Sequence, residues 1–349
     1  LNVSAVLRTV ALGACASLIL AGCTPGAPSE HRGSTPDGAA DVTIGLTYIP
    51  NIQFAPVYVA EAQGTYGAAG IHPTIRHHGS DEGLFTALLA GQEDVVIASG
   101  DEAAVAASQG LDLVSIGRYY DAYPGTVIVP ADSSIKGLAD LAGKTIGIPG
   151  EYGSNYYAAL AAMRDGGLQA SDVTISSIGY TQRAALASGQ VDAVVGFTNN
   201  DAVQMRLAGI DIREIPLGGA ATPLVGASII TTHEWADTHP DQAKAIVQAT
   251  TEAMNAIAAD PKVAVEATSK WDTTLTDETA LSGAHAVLTA TIPLWSGQSG
   301  QADGVQDLKR WASMLSFLSS IGVLEGSVDT DSIVTNQFVS TDEERSSQS

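Results

Sequence analysis

The sequence predicts an α/β protein built as two similar lobes with a ligand cleft between them, and three observations carry that expectation. Short Val/Ile-rich runs such as "VTIGLTYI", "DVVIAS", "KTIGIP" and "DAVVGF" alternate with alanine-rich stretches of helical pattern, as in mostly parallel sheets whose strands are joined by helices. A longer segment occurs twice. "ALLAGQEDVVIASGDEAAVAASQGLDLVSI" (87–116) and "ALASGQVDAVVGFTNNDAVQMRLAGIDIREI" (185–215) share a helix end, Gly-Gln-x-Asp, a buried strand, a polar turn, a helix and then Gly-Leu/Ile-Asp. A fainter echo pairs "IGLTYIPN" and the helix after it with "IGIPGEYGSNYY" and its helix, each a strand that runs into a polar-aromatic loop.

Taken in order, the first 22 residues read as a leader. One arginine, Arg8, precedes an apolar run from Val10 to Ala21 that is too short to span a bilayer comfortably. The leader closes on "LAGC", Leu20 to Cys23, which resembles a bacterial lipobox and implies that Cys23 becomes a lipidated N-terminus. Residues 23–41, rich in Pro, Gly, Ser and Thr, read as a flexible tether. Residues 42–131 then form the first part of lobe one, residues 132–226 lobe two, and residues 227–335 the return to lobe one with C-terminal helices. A polar tail covers 336–349. Hinges are expected at Val129–Ser133 and Gly226–Ile229. Trp271, Trp295 and Trp311 read as packing residues of the helical stretch.

Composition narrows the function. A formal net charge of −22 repels phosphate backbones and anionic membrane surfaces, which argues against nucleic-acid binding. The two cysteines, Cys15 and Cys23, both lie in or at the end of the leader, so no disulfide and no nucleophilic cysteine is expected in the mature chain. Neither His-Glu-x-x-His nor Gly-x-Ser-x-Gly occurs. His77 and His78 are adjacent on an extended run and point opposite ways, which favours solvated histidines over a metal site. No catalytic residue, metal or cofactor is expected.

Ligands of parallel α/β sheets gather at the carboxyl ends of strands, beside helix N-termini. The chain has 10 tyrosines, 5 phenylalanines and 4 tryptophans, and nine of these fall in such loops: Tyr48, Phe54, Tyr119, Tyr120, Tyr123, Tyr152, Tyr156, Tyr157 and Phe197. Flat rings there would stack on a planar ligand. Tyr157 reads instead as core. Among the polar residues of the same loops, Asn51, Gln53, Ser99, Asp101, Glu151, Ser154, Asn155, Asn199 and Asn200, amides and carboxylates could pair with ring nitrogens and exocyclic amines. Glu151 reads equally as a ligand acceptor or as a charge at a helix start. Ser99 and Asp101 read as helix N-caps or ligand contacts, as do Asn199 and Asn200. Arg118 is the one basic residue in these loops, and no P-loop lysine follows the glycine-rich turn, so an anionic ligand ranks below a neutral heterocycle.

On "YIPNIQFAPVYVAEAQGTYGAAGI", "GKTIGIPGEYGS", the Gly-Gln-x-Asp turns and the return segment, the chain from Val42 to Ser320 resembles the solute-binding proteins of ABC importers that take aliphatic sulfonates and thiamine pyrimidine precursors. The resemblance implies a type II periplasmic-binding-protein fold and a monomer held outside the cell membrane that delivers a small molecule to a permease and its ATPase, without chemistry. The pyrimidine-binding branch carries Asp-Trp-x-Pro-Asn-x-x-His at the first loop, where this chain reads "TYIPNIQF". Pro50 and Asn51 match, Tyr48 stands in for the tryptophan, and Thr47 and Phe54 depart. Losing the histidine for a stacking face points to a thiamine pyrimidine precursor or a larger, less polar ring such as riboflavin, with sulfonates such as taurine the alternative. A fungal relative of this fold makes the thiamine pyrimidine itself at a clustered-cysteine iron site, which this sequence lacks. Ligand-binding candidates are Tyr48, Asn51, Phe54, Ser99, Asp101, Tyr119, Glu151, Tyr152, Ser154, Asn155, Phe197 and Asn199.

Overall fold

In the computed structural model, residues 38–79, 82–217, 223–296 and 300–340 are described. The leader, Cys23, most of the tether and residues 341–349 lie outside them. Ten strands run β1 (Ala40–Leu46), β2 (Ile71–His77), β3 (Val95–Ser99), β4 (Val114–Arg118), β5 (Gly125–Pro130), β6 (Thr145–Ile148), β7 (Thr174–Ser177), β8 (Ala193–Phe197), β9 (Ile212–Pro216) and β10 (Ala227–Thr231). They make two five-stranded sheets with the same plan, β2-β1-β3-β10-β4 and β7-β6-β8-β5-β9. In each, three strands pair in parallel and the fourth in the row, β10 or β5, runs antiparallel to its neighbours.

The doubled sequence motif is what builds this doubled plan. Gly91 and Gly189 end their helices at φ +66° and +71°, a left-handed conformation that costs glycine little. Three residues on, Asp94 and Asp192 accept the backbone N–H of Thr43 and Thr145, at 2.7 and 2.8 Å, and so tie the start of the third strand to the first. Gly-Gln-x-Asp is thus a clasp between strand ends far from the ligand side. Pattern and packing agree elsewhere too. Pro240 opens the helix Pro240–Ala259 in the first turn, where no N–H is needed, and Asp307 caps the helix Leu308–Ser320 by accepting from Lys309 and Arg310 N–H.

One expected boundary moves. The sequence reading kept residues up to 131 in lobe one, but β5 lies between β8 and β9 in the second sheet. The chain therefore crosses between Arg118 and Gly125, not at Val129–Ser133. "GTVIVP" is an apolar run that satisfies either sheet, and only its antiparallel partners, more than 60 residues downstream, decide which. The second crossing lies between the end of β9 at Pro216 and the start of β10 at Ala227. Near the C-terminus, Val334 bridges to Ser115 of β4.

Among the described residues two large apolar cores form, beside a smaller one around Ile128, Leu186, Val194 and Met205. One packs β1 and β2 under the helices Ala55–Ala62 and Pro240–Ala259, with Tyr58 and Tyr66 buried in it. The other is continuous across both sheets, from Val96, Ala98 and Ile230 to Val127, Ile146 and Val195, with Trp311, Met314 and Leu318 of the helix Leu308–Ser320 between them. Arg164 of the second lobe lies over the Phe317 ring of the same helix at 4.6 Å. Trp295 and Trp311 are buried, and Trp271 stacks on Tyr58. The paired histidines do point opposite ways, yet neither is solvated. His77 Nε2 is 2.7 Å from the Tyr58 hydroxyl, while His78 is buried against Glu93, which also holds Arg76. Their partners are long-range, so the local pattern hid them.

Candidate functional site

The carboxyl ends of the strands bring loops from both lobes together. In the first loop Pro50 is followed by Asn51, whose backbone is extended and whose Oδ1 accepts the Gln53 N–H at 3.0 Å, capping the single turn Ile52–Phe54. Asn51 thus spends its carbonyl on the loop itself. It also lines a groove of about 680 Å³ with Ile52, Gln204, Leu207, Leu275 and Gly283, which runs between the first lobe and the helix Asp201–Leu207. Thr47 ties the loop to Ile97, and the Tyr119 hydroxyl donates to the Gln53 carbonyl at 2.9 Å. Tyr119 is a core residue, buried among Tyr66, Tyr58 and Tyr120, and braces the loop from beneath rather than facing a ligand. Phe54 is half-buried on the same core.

At the end of β3, Ser99 stands at the N-cap position of the helix Gly100–Ser108 but makes no capping bond; its hydroxyl lies 3.4 Å from the Val225 carbonyl. Asp101, fully buried, accepts from the Ser154 hydroxyl at 2.7 Å, and the Tyr123 hydroxyl lies 3.1 Å from its other oxygen. Ser154 belongs to the opposite lobe, as the second residue of the helix Gly153–Asp165. The neighbouring Glu102 reaches the start of that helix from across the cleft. It has room to do so because Gly153, at φ +69°, carries no Cβ; one placed there would come within 2.7 Å of Glu102 Oε1. Burial drives the carboxyls of Asp101 and Glu102 well above the ordinary range, and the charge of Asp101 raises Glu102 further. Two adjacent acids in one dry contact hold fewer charges than two.

Glu151 and Tyr152 precede the helix Gly153–Asp165 and are exposed, and the first turn of that helix contains no acid of its own. The helix-start reading of Glu151 does not match this geometry, because the acid set against the helix start is Glu102 from across the cleft. The local pattern missed Glu102, although "SGDE" shows it: a second acid in a first turn looks like ordinary support for its own helix. Asn155, one residue past Ser154, has a buried Oδ1 with no hydrogen-bond partner. In the other second-lobe loop, Phe197 is half-buried and Asn199 fully buried. The Asn199 amide donates to Thr291 Oγ1 at 3.0 Å and reaches the Tyr120 hydroxyl at 3.4 Å, both in the first lobe, while its Oδ1 is without a partner.

Around this contact stands a rim of exposed rings. Tyr48 is 51% exposed, Tyr152 62% and Tyr180 76%, values that set them apart from the buried tyrosines behind. Tyr180, absent from the sequence candidates, stands near Tyr152; partial burial is the main cause that raises its hydroxyl, with Tyr152, Glu102 and Tyr48 close enough to add to it. The signal was a lone tyrosine just past the end of β7. Arg118, the basic residue expected near the site, is held by Asp121 and by Asp303 at 2.7 Å. It is therefore neutralised where it stands.

The family model described as NMT1/THI5 like matches residues 51–264. The riboflavin-binding protein RibY of Chloroflexus aurantiacus is 30% identical over 95% of this chain and 98% of its own length. A 4-amino-5-hydroxymethyl-2-methylpyrimidine phosphate synthase of Legionella pneumophila is 25% identical, over 47% of this chain and about half (51%) of its own length. Among solved structures, the periplasmic aliphatic sulphonate binding protein SsuA of Escherichia coli superposes with a TM-score of 0.66 at 16% identity, covering 83% of this chain and 96% of that one, which establishes the shared two-lobed fold.

Proposed function

The chain belongs to the NMT1/THI5-like family, and from that premise we propose that it is the extracytoplasmic substrate-binding component of an ABC importer, with riboflavin as its ligand. One observation carries the reading: loops from both lobes converge on a polar contact without a free cation, ringed by Tyr48, Tyr152 and Tyr180. Exposed tyrosines on opposing lobes suit a flat ring system, each stack adding about 0.5–1.5 kcal/mol. Asn155 and Asn199 supply acceptors for ring N–H or hydroxyl groups. The near full-length likeness to a riboflavin-binding protein supports the flavin over a smaller pyrimidine precursor. Ligand capture draws the lobes together about the crossing at 119–124, and the closed form is what the permease and its ATPase receive.

Native mass spectrometry tests both the ligand and the absence of chemistry. The purified protein incubated with riboflavin is expected to carry one flavin, and the flavin recovered from it to have an unchanged mass. A converted product would instead favour an enzyme, the reading that the synthase relative raises. No described helix is long and apolar enough to cross a membrane, and we assign attachment to a lipid on Cys23. Replacing Cys23 with serine in the full-length protein is expected to move it from the membrane fraction to the medium or leave it unprocessed; membrane association equal to the parent's would contradict the anchor.

A further inference from the structure

Two adjacent acids of the first lobe, Asp101 and Glu102, meet the start of a second-lobe helix across the cleft. Asp101 is surrounded by hydroxyls, those of Ser154 and Tyr123. Glu102 lies against Gly153, at the start of the helix Gly153–Asp165. That 13-residue helix offers its N-terminus to the cleft, where an anionic ligand would gain from the helix dipole and the free amides. Here a carboxylate of the opposite lobe already sits there, seated over a glycine that leaves it the space. In the same turn, Asn155 presents a buried oxygen with no donor, and Asn199, fully buried, presents another. Arg118 cannot compensate an incoming anion, because Asp121 and Asp303 hold it.

We propose that Asp101 and Glu102 form an acidic gate across the cleft that rejects anions, so that the site takes a neutral, hydroxyl- or N–H-bearing heterocycle and refuses the phosphate or sulfonate form of the same size. A neutral donor replaces the Ser154 hydroxyl against Asp101 when it enters. An anion entering the same space meets acceptors on both walls and loses the helix N-terminus to Glu102. The inference rests on the cleft being the binding site proposed above, and it adds the residues that set its selectivity.

Riboflavin and its 5′-phosphate share one ring system and differ by an anion, and MOPS supplies an anion without a flavin. Calorimetric titration of the parent is expected to show the phosphate binding at least about a hundredfold more weakly than riboflavin, with no MOPS binding at millimolar concentration. Because the two acids share their charge, both must be neutralised. In Asp101→Asn/Glu102→Gln the gap between the two flavins is expected to shrink by about tenfold or more, and MOPS binding to become measurable. Glu102→Gln alone serves if the double variant does not fold, with a smaller shift in the same direction. A parent that binds the phosphate within about threefold of riboflavin, or a variant that leaves the gap unchanged, overturns the gate. Should riboflavin fail to bind the parent at all, the flavin assignment falls, and the MOPS arm still decides the gate: binding only in the variant supports it, and equal binding in both refutes it.

Discussion

Replacing Trp311 with alanine is expected to cost about 3–5 kcal/mol of stability, the largest single loss foreseen for this chain. The ring is 1% exposed and lies in the core that runs across both sheets. It also supports the site from below, because a Cβ at Gly100 would fall 2.9 Å from the Trp311 ring. Truncation leaves a void that backbone on two sides cannot follow, and the loop that carries Asp101 loses its floor. Urea denaturation should show a lower midpoint at an unchanged slope, the mark of lost stability rather than of an altered unfolded state. A loss below about 1 kcal/mol would mean that the helix Leu308–Ser320 is dispensable to the core.

Asn199→Ala is expected to weaken riboflavin binding by roughly 5- to 150-fold, corresponding to about 1–3 kcal/mol for a buried polar contact left unmade. Asn199 is fully buried at the carboxyl end of β8, with its amide nitrogen engaged by Thr291 and its oxygen unengaged. A buried carbonyl without a donor is costly, and the proposed ligand would supply one. The same side chain links the lobes, and a second variant separates the two roles. Thr291→Val removes the bridge and keeps the oxygen, and its loss is expected to stay under about fivefold. Equal losses in the two variants would assign Asn199 to lobe contact alone.

Much of the architecture was legible because it is written twice. The Gly-Gln-x-Asp clasps repeat with the strands they tie, so Asp94 and Asp192 announce two equivalent sheets. The crossing point was not legible: β5 is apolar on any pattern, and its place is set by pairing with β8 and β9. At the candidate site, sequence pointed to loops at the carboxyl ends of the strands but not to the division of labour inside them. Asn51 matches the family pattern yet caps its own turn, and Tyr119 alternates into the core. Ser154 pairs with Asp101 across the lobes, and Asn199 pairs separately with Thr291. Glu102 and Tyr180 went unread because what they face, a helix start in the other lobe and a tyrosine on another loop, is set by contacts that no local spacing encodes. The buried pair of His78 and Glu93 was hidden for the same reason.

Isothermal titration of the purified, folded protein with riboflavin tests the central claim most directly. The account predicts saturable binding of one flavin per chain, weakened by substitution at Asn199 and without chemical change to the flavin. A folded protein that gives no binding heat at saturating riboflavin, yet binds a sulfonate such as taurine, would contradict it.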